Sequence, residues 1–409
     1  MAVWRTSPVA EVCTMVTDGS HFSPSTTPTG YPYVTVRDIK QGQIDFENCA
    51  FVSEASFDEL RRNGCAPLVG DVLFSKDGTV GKVALVDSPR EFVVLSSLAI
   101  LRPNASLIEP AFLSYVLMSP AFLGAAIGQK TGVAIRRIIL KHLKQIPIPY
   151  PSLAEQRRIV SILDEAFEGI ATAKANAEKN RQNARELFTN GLEGVFSEGA
   201  SRWGCVALER IGATQTGSTP KSSEPENLGD YLPFVKPGDF NRDGSITFDN
   251  EGLSEGGAKK ARRVKANSAL MVCIGATIGK AGFSEREIAT NQQVNAWTPT
   301  TDTSAKFIYY QMTTGNFQRR VRQNAGQATL PIINKSKWSA LTVVVPPTLE
   351  EQTKIVADLD LLLAESMNLE AVYERKLAVL DELKKALLHQ AFTGALTTKS
   401  TDKQLEAVA

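Results

Sequence analysis

Two stretches of this chain carry residues that could hold a phosphate: Gly275-Ala-Thr-Ile-Gly-Lys280 and Gly78-Thr-Val-Gly-Lys82. Each offers turn amides followed by a lysine. A nucleotide-hydrolysing phosphate loop needs four residues between its glycines and Ser or Thr after the lysine. Gly275–Lys280 has three residues between its glycines and then Ala281, so it does not fit that chemistry. The reading that survives is a turn whose lysine, Lys82 or Lys280, contacts nucleic-acid phosphates beside exposed amides.

Other side chains suit duplex edges better than covalent catalysis. Asn291, Gln292, Gln293 and Gln327 each pair a donor with an acceptor, as base edges require. Arg319, Arg320, Arg322, Lys221 and Lys335 suit phosphates or guanine, and His21, Lys76, Thr79, Arg136, Arg137 and Lys141 fill similar places in the first half. Taken singly, each reads better as a solvated surface residue. As a set they are expected to include true DNA contacts. The Arg136-Arg137 pair and the Arg319–Arg322 cluster weigh most, because like charges so close repel unless an anion is near.

Catalytic and metal sites are not expected. There is no glycine-rich dinucleotide fingerprint, no Gly-x-Ser-x-Gly elbow, no HExxH, and no Asn/Asp-Pro-Pro-aromatic signature of an amino-methyltransferase. Five scattered cysteines without a CxxC pair point to a reducing compartment, and three histidines form no ligand set. The opening residues lack the apolar core of a signal peptide. Ala111–Gly128 is uncharged, but Pro120 and its glycines favour a helix of a soluble domain. A cytoplasmic protein of a bacterium or archaeon, without membrane contact, is expected.

The elements that would position these residues come in two copies. Pro151–Phe196 and Pro347–Phe392 share a pattern at a separation of 196 residues, opening Pro-Ser-Leu-Ala-Glu-Gln and Pro-Thr-Leu-Glu-Glu-Gln. Ile159, Leu163, Ala166, Ile170, Ala173, Ala177, Asn180, Ala184, Leu187 and Gly191 alternate spacings of four and three. The second copy does so at the same offsets, from Ile355 through Ser366 and Tyr373 to Leu387. Such heptads predict two long helices, each about 60 Å. Small residues on the first face leucines on the second, which predicts an antiparallel pair about an approximate two-fold axis.

The intervening segments also match: Tyr31–Ile39 with Leu232–Phe240, and Val72–Lys82 with Leu270–Lys280. Their short β-rich runs predict an α+β fold, with two mixed globules alternating with the two helices. The expected domains are 1–150 and 201–346 for the globules, 151–200 and 347–398 for the spacer helices, and a disordered tail at 399–409. Net charge is +1 for 1–150 and +6 for 201–346, against −2 for 151–200 and −4 for 347–409. A polyanion should therefore meet the globules rather than the helices. The matched halves diverge at Leu95-Ser-Ser-Leu98 against Asn291-Gln-Gln-Val294, and at Asp18-Gly-Ser-His21 against Thr216-Gly-Ser-Thr219. A shared frame with different polar residues is what two readers of two targets would carry.

This order of motifs resembles the specificity subunit of type I restriction–modification systems, over nearly the whole chain. The carrying residues are Pro151–Gln156 with Ile159, Pro347–Gln352 with Ile355, the Gly78–Lys82 and Ala276–Lys280 turns, and the Asp18–His21 and Gly217–Pro220 openings. The resemblance implies a non-catalytic subunit whose globules are target-recognition domains for a bipartite duplex DNA sequence. It implies helices that fix the spacing and bind two methyltransferase (modification) subunits, joined by translocating restriction subunits. S-adenosylmethionine and ATP would belong to those partners, with no cofactor in this chain. The alternatives are a coiled-coil protein-interaction scaffold without DNA specificity, and an enzyme with an unfamiliar site in the globules.

Overall fold

The computed structural model describes residues 3–40, 42–128, 137–221, 223–326 and 330–397. The chain divides into two compact units, one formed by residues up to 176 together with those from 376 onward, the other by residues 177–375. The expected 399–409 tail lies outside the described residues. Among these, no single helix is long and apolar enough to cross a membrane. The bent apolar pair Pro110–Met118 and Pro120–Ile127 buries Phe112, Leu113, Val116, Leu117 and Phe122 in the first core.

The first unit is built on an antiparallel sheet ordered Cys13–Asp18, Leu98–Pro103, Val72–Ser75, Val83–Leu85. Val72–Ser75 is buried throughout because both faces are covered. Side chains alternate across a strand, so Val72 and Phe74 meet the helices while Leu73 meets Val34, Phe92 and Val94 behind. That second layer is a small sheet in which Tyr31–Val34 pairs parallel with Val93–Val94 and antiparallel with Ala50–Val52.

The second unit repeats this order with Gly212–Thr216, Val294–Pro299, Ser268–Val272 and Ala281–Ser284. Ala269 and Met271 face helices, and Leu270 and Val272 face the Leu228–Val235 layer. The ladder row Asp18–Ala99–Phe74 corresponds to Thr216–Asn295–Met271. The turn after the third strand is one residue longer in the second unit. The Ser75 amide donates to the Lys82 carbonyl and the Val272 amide to the Lys280 carbonyl, so Lys76 is the counterpart of Cys273.

Two long helices, Leu153–Arg202 and Leu349–Phe392, contribute to both units. Within the first unit their segments run antiparallel: Lys174 pairs with Asp381, and Lys384 lies over the Phe167 ring. Within the second they do so again, through Arg185–Glu370 and a Ser366 hydroxyl that donates to the Ala184 carbonyl. The small-against-large fit is present, since Leu362 occupies the open face of Gly191. The strict heptad is corrected. Ala177, Ala184 and Ser366 are buried, but Asn180, Leu187, Leu369 and Leu383 are exposed, while Leu192 and Phe196 are buried. A straight helix of 3.6 residues per turn drifts about 20° per heptad, and that drift moves the contact by one position.

The Glu-Gln of each helix opening has a structural purpose. The Gln156 side chain is fully buried; its Oε1 accepts the Glu109 amide at 2.9 Å, and its Nε2 donates to the carbonyls of Leu107 and Pro151 at 2.9 and 3.0 Å. Gln352 repeats this with the Ser304 amide at 2.8 Å and the carbonyls of Asp302 and Pro346 at 3.5 and 3.3 Å. Two turns further on, Tyr115 donates to Asp164 and Tyr310 to Asp360.

Replacing Gln352 by leucine should destabilise the second unit by about 2–4 kcal/mol, because a buried amide and two carbonyls lose their partner. Gln352→Glu should cost at least as much, since a carboxylate would face two carbonyl oxygens. Urea unfolding of both variants checks this.

Candidate nucleic-acid interface

Four loops gather at one edge of each globule. In the first, the Ser20 amide donates to Val94 at 2.8 Å, Ser96 to Ser20 at 2.9 Å, Lys76 to Ser97 at 2.9 Å and Ile138 to Lys76 at 2.7 Å. In the second, Ser218 donates to Thr290 at 2.9 Å, Cys273 to Gln293 at 2.7 Å, Gly275 to Pro331 and Ile333 to Cys273, both at 3.0 Å. Gly19 and Gly217 permit this approach, because a Cβ would stand 2.0 Å from the Val94 carbonyl in one and 2.2 Å from the Thr290 hydroxyl in the other. The shared Gly-Ser openings therefore mark loop contacts.

Several of the sequence candidates are spent inside the fold. Lys76 is 3% exposed and its Nζ lies 3.0 Å from Asp18 Oδ2, so the expectation of a free phosphate contact there is corrected. A buried ammonium needs this partner to offset its desolvation. Lys82 Nζ donates to the Val36 and Ile39 carbonyls, each at 2.9 Å, and Lys280 Nζ reaches the Phe240 carbonyl at 3.4 Å. Lys82 thus clamps the one-turn helix Val36–Asp38, whereas Lys280 remains exposed beside its counterpart Pro237–Asp239. Asn291 is buried, its Nδ2 donating to Gln293 Oε1 at 3.0 Å. Gln293 in turn donates to the Ile274 carbonyl at 3.4 Å.

The arginine cluster splits. Arg319 and Arg320 line a cavity of about 450 Å³ with Glu193, Cys205 and Thr342. Arg320 donates to the Thr342 hydroxyl at 2.8 Å, lies 5.3 Å from the Phe317 ring, and has its pKa lowered by burial. Gln318, by contrast, donates to the Gly279 carbonyl of the loop edge, and exposed Arg322 lies one turn beyond it on the same face. Lys141 is exposed beside Pro8 and Glu11. Arg136 and Gln327 lie outside the described residues.

The residues left exposed at the loop edge are His21, Thr79 and Arg137 in the first globule, and Lys221, Lys280, Gln292 and Lys335 in the second. His21 Nε2 lies 3.2 Å from Asp18 Oδ1, and Arg137 Nε lies 3.6 Å from Asp77. Thr219, which sequence reasoning passed over, donates to Gln292 Oε1 at 2.6 Å. Exposed Leu330 and Ile332 stand on the last loop of the edge. Only counting back from Ile333, the partner of Ile138, would have flagged Ile332 as the counterpart of Arg137. Burial pushes the thiols of Cys13 and Cys273 up to about 12, with Asp71 adding to the shift at Cys13. Both are protonated at neutral pH and cannot serve as thiolate nucleophiles.

A family model described as the type I restriction modification DNA specificity domain matches residues 1–180 and 200–376. A putative type I restriction enzyme MjaX specificity subunit of Methanocaldococcus jannaschii is 23% identical, across 97% of this chain and 94% of its own length. A chain from a solved type I R-M system superposes with a TM-score of 0.76 at 21% identity, covering 96% of this chain and 98% of that one. The HsdS subunit from Thermoanaerobacter tengcongensis gives 0.60 at 20% identity, covering 96% and 97%.

The contacts sort the basic residues into two classes with opposite signatures. Lys221→Ala and Lys335→Ala should each lower the salt slope of duplex binding by about one and leave unfolding unchanged. Lys82→Met should do the reverse, costing about 1–2 kcal/mol of stability with the slope intact. Asp18→Ala should cost about 3 kcal/mol by stranding the Lys76 ammonium. Salt titrations of DNA binding beside denaturant curves give both readouts.

Proposed function

We propose how this chain works from the fact that it belongs to the type I restriction modification DNA specificity family, which recognises DNA sequence. Each globule reads one half of a bipartite duplex target through its four-loop edge. The chain itself is non-catalytic. The observation that carries this is the pairing of one repeated frame with two different edges: Arg137 and Ser96-Ser97 in one, Ile332 and Gln292-Gln293 in the other. Two edges joined in one chain turn two weak contacts into a single avid one.

The two helices set the number of unread base pairs and hold the modification subunits. Leu153–Arg202 runs 50 residues without a break, a length of about 75 Å. Leu361, Leu369, Val372, Val379 and Leu383 of the C-terminal helix are exposed, and an uncovered apolar helix face favours packing by a partner's helices. Two methyltransferase subunits would supply S-adenosylmethionine, and restriction subunits would supply ATP-driven translocation. A protein-interaction scaffold would need none of the loop-edge polarity.

Adenine methylation should be mapped in cells carrying the modification subunits with and without this chain. The expected result is a two-part motif with a fixed gap that disappears without the chain. Removing one heptad from both helices should shorten the gap or abolish methylation; an unchanged gap would refute the ruler.

A further inference from the structure

We propose that the edge of the second globule reads A·T base pairs, with Leu330 and Ile332 against thymine methyl groups and Gln292 hydrogen-bonded to adenine. The inference rests on the DNA-reading function above and names what this edge recognises.

Leu330 and Ile332 are 50% and 43% exposed. The backbone of Pro331–Ile333 is nonetheless held by hydrogen bonds. The Gly275 amide donates to Pro331, Gly326 to Ile332 and Ile333 to Cys273, at 3.0 to 3.1 Å, and Ile332 bridges to Ile274. Two branched aliphatic side chains held side by side toward solvent on such a backbone leave apolar surface open to a ligand. At Gly275 a Cβ would stand 3.4 Å from Gln293 Nε2 and 3.9 Å from Leu330 Cδ1. Amide and aliphatic groups thus border the same small floor.

The amides beside that floor divide the work. Gln293 spends both ends internally, on Asn291 and on the Ile274 carbonyl, and serves as a positioning residue. Gln292 is exposed, and its Oε1 takes the Thr219 hydroxyl at 2.6 Å. The other lone pair of that oxygen and the amide N–H groups remain available among the described residues. A side-chain amide fixed in this way can accept from adenine N6 and donate to N7. The thymine of such a pair offers a methyl group in the same groove, and apolar side chains recognise it. Guanine is read mainly by arginine or lysine; residues 289–294 and 330–334 carry no charge, and the exposed Lys221, Lys280 and Lys335 of this edge are left to phosphates. The first globule has Arg137 where the second has Ile332, each preceding the isoleucine that bonds the equivalent carbonyl of Lys76 or Cys273.

The test uses the full complex with modification subunits and a duplex carrying its methylation-defined site. Each thymine of both half-sites is replaced singly by deoxyuridine, which removes only the methyl group. One or two positions, confined to one half-site, should bind about fourfold more weakly, as expected for the loss of one buried methyl. The Leu330→Ala/Ile332→Ala variant should bind thymine and deoxyuridine duplexes equally. In parallel, 7-deazaadenine opposite the sensitive thymine or beside it should weaken wild-type binding but not that of Gln292→Ala. An unaltered melting temperature in both variants separates lost contacts from lost folding. No deoxyuridine effect in the wild type, or an effect that persists in the double variant, would overturn the proposal. Absence of any sequence-specific binding by the wild type would instead overturn the DNA-reading function.

Discussion

A single buried glutamine sets the geometry of each half. Gln156 and Gln352 sit buried where a strand ends and a long helix begins, and each satisfies one amide and two carbonyls. Because those three groups belong to both the globule and the helix start, the first helical turn has one permitted position relative to the globule. An unpaired buried polar group costs more than a typical hydrogen bond contributes, so alternatives are excluded by penalty rather than by attraction. Tyr115–Asp164 and Tyr310–Asp360 fix the rotation two turns later. Everything that depends on aiming the loop edge depends on this joint.

The motifs that make the two halves recognisably alike prove to be joints of this kind. Lys82 and Lys280 hold the carbonyls of a short turn, Asp38 and Asp239 cap that turn at 2.7 Å, and the Gly-Ser openings let two loops touch. Trp4 packs beside Gly394 in the first unit as Trp203 packs beside Gly199 in the second. None of these contacts involves a group that must face a ligand. The sequence similarity between halves records how the frame is built, and the differences fall at the edge.

This explains which parts of the chain could be read in advance. Long helices announce themselves because forty residues of periodic apolar spacing have no other use, and alternation of buried strands marks a two-layered globule. The seam beyond Ala184 was not legible, because a 3.5-residue template hides a slow drift that only packing reveals. Lysines were the least legible of all. Lys76, Lys82 and Lys221 look alike in sequence, yet the first is buried against Asp18, the second meets two carbonyls and the third stays exposed beside Glu224. Those partners are 40 to 60 residues away for Lys76 and Lys82, so the decision is made by tertiary contact alone.

The halves also carry out a substitution experiment on each other. Where the first globule buries the Lys76–Asp18 ion pair, the second has Cys273 and Thr216 at the same ladder positions, with Thr216 donating to Asn295 at 2.8 Å. The frame around both is unchanged in strand order and loop contacts. A buried ion pair can be exchanged as a unit for neutral groups at little net cost, whereas removing one partner is expensive. The ion pair is therefore dispensable to the fold as a pair, and its members are bound to one another rather than to the architecture. Evolution can rewrite the edge of one globule by such paired exchanges without disturbing the glutamine joint, because the two sets of contacts share no residue. That separation lets the two loop edges differ while the repeated frame is kept.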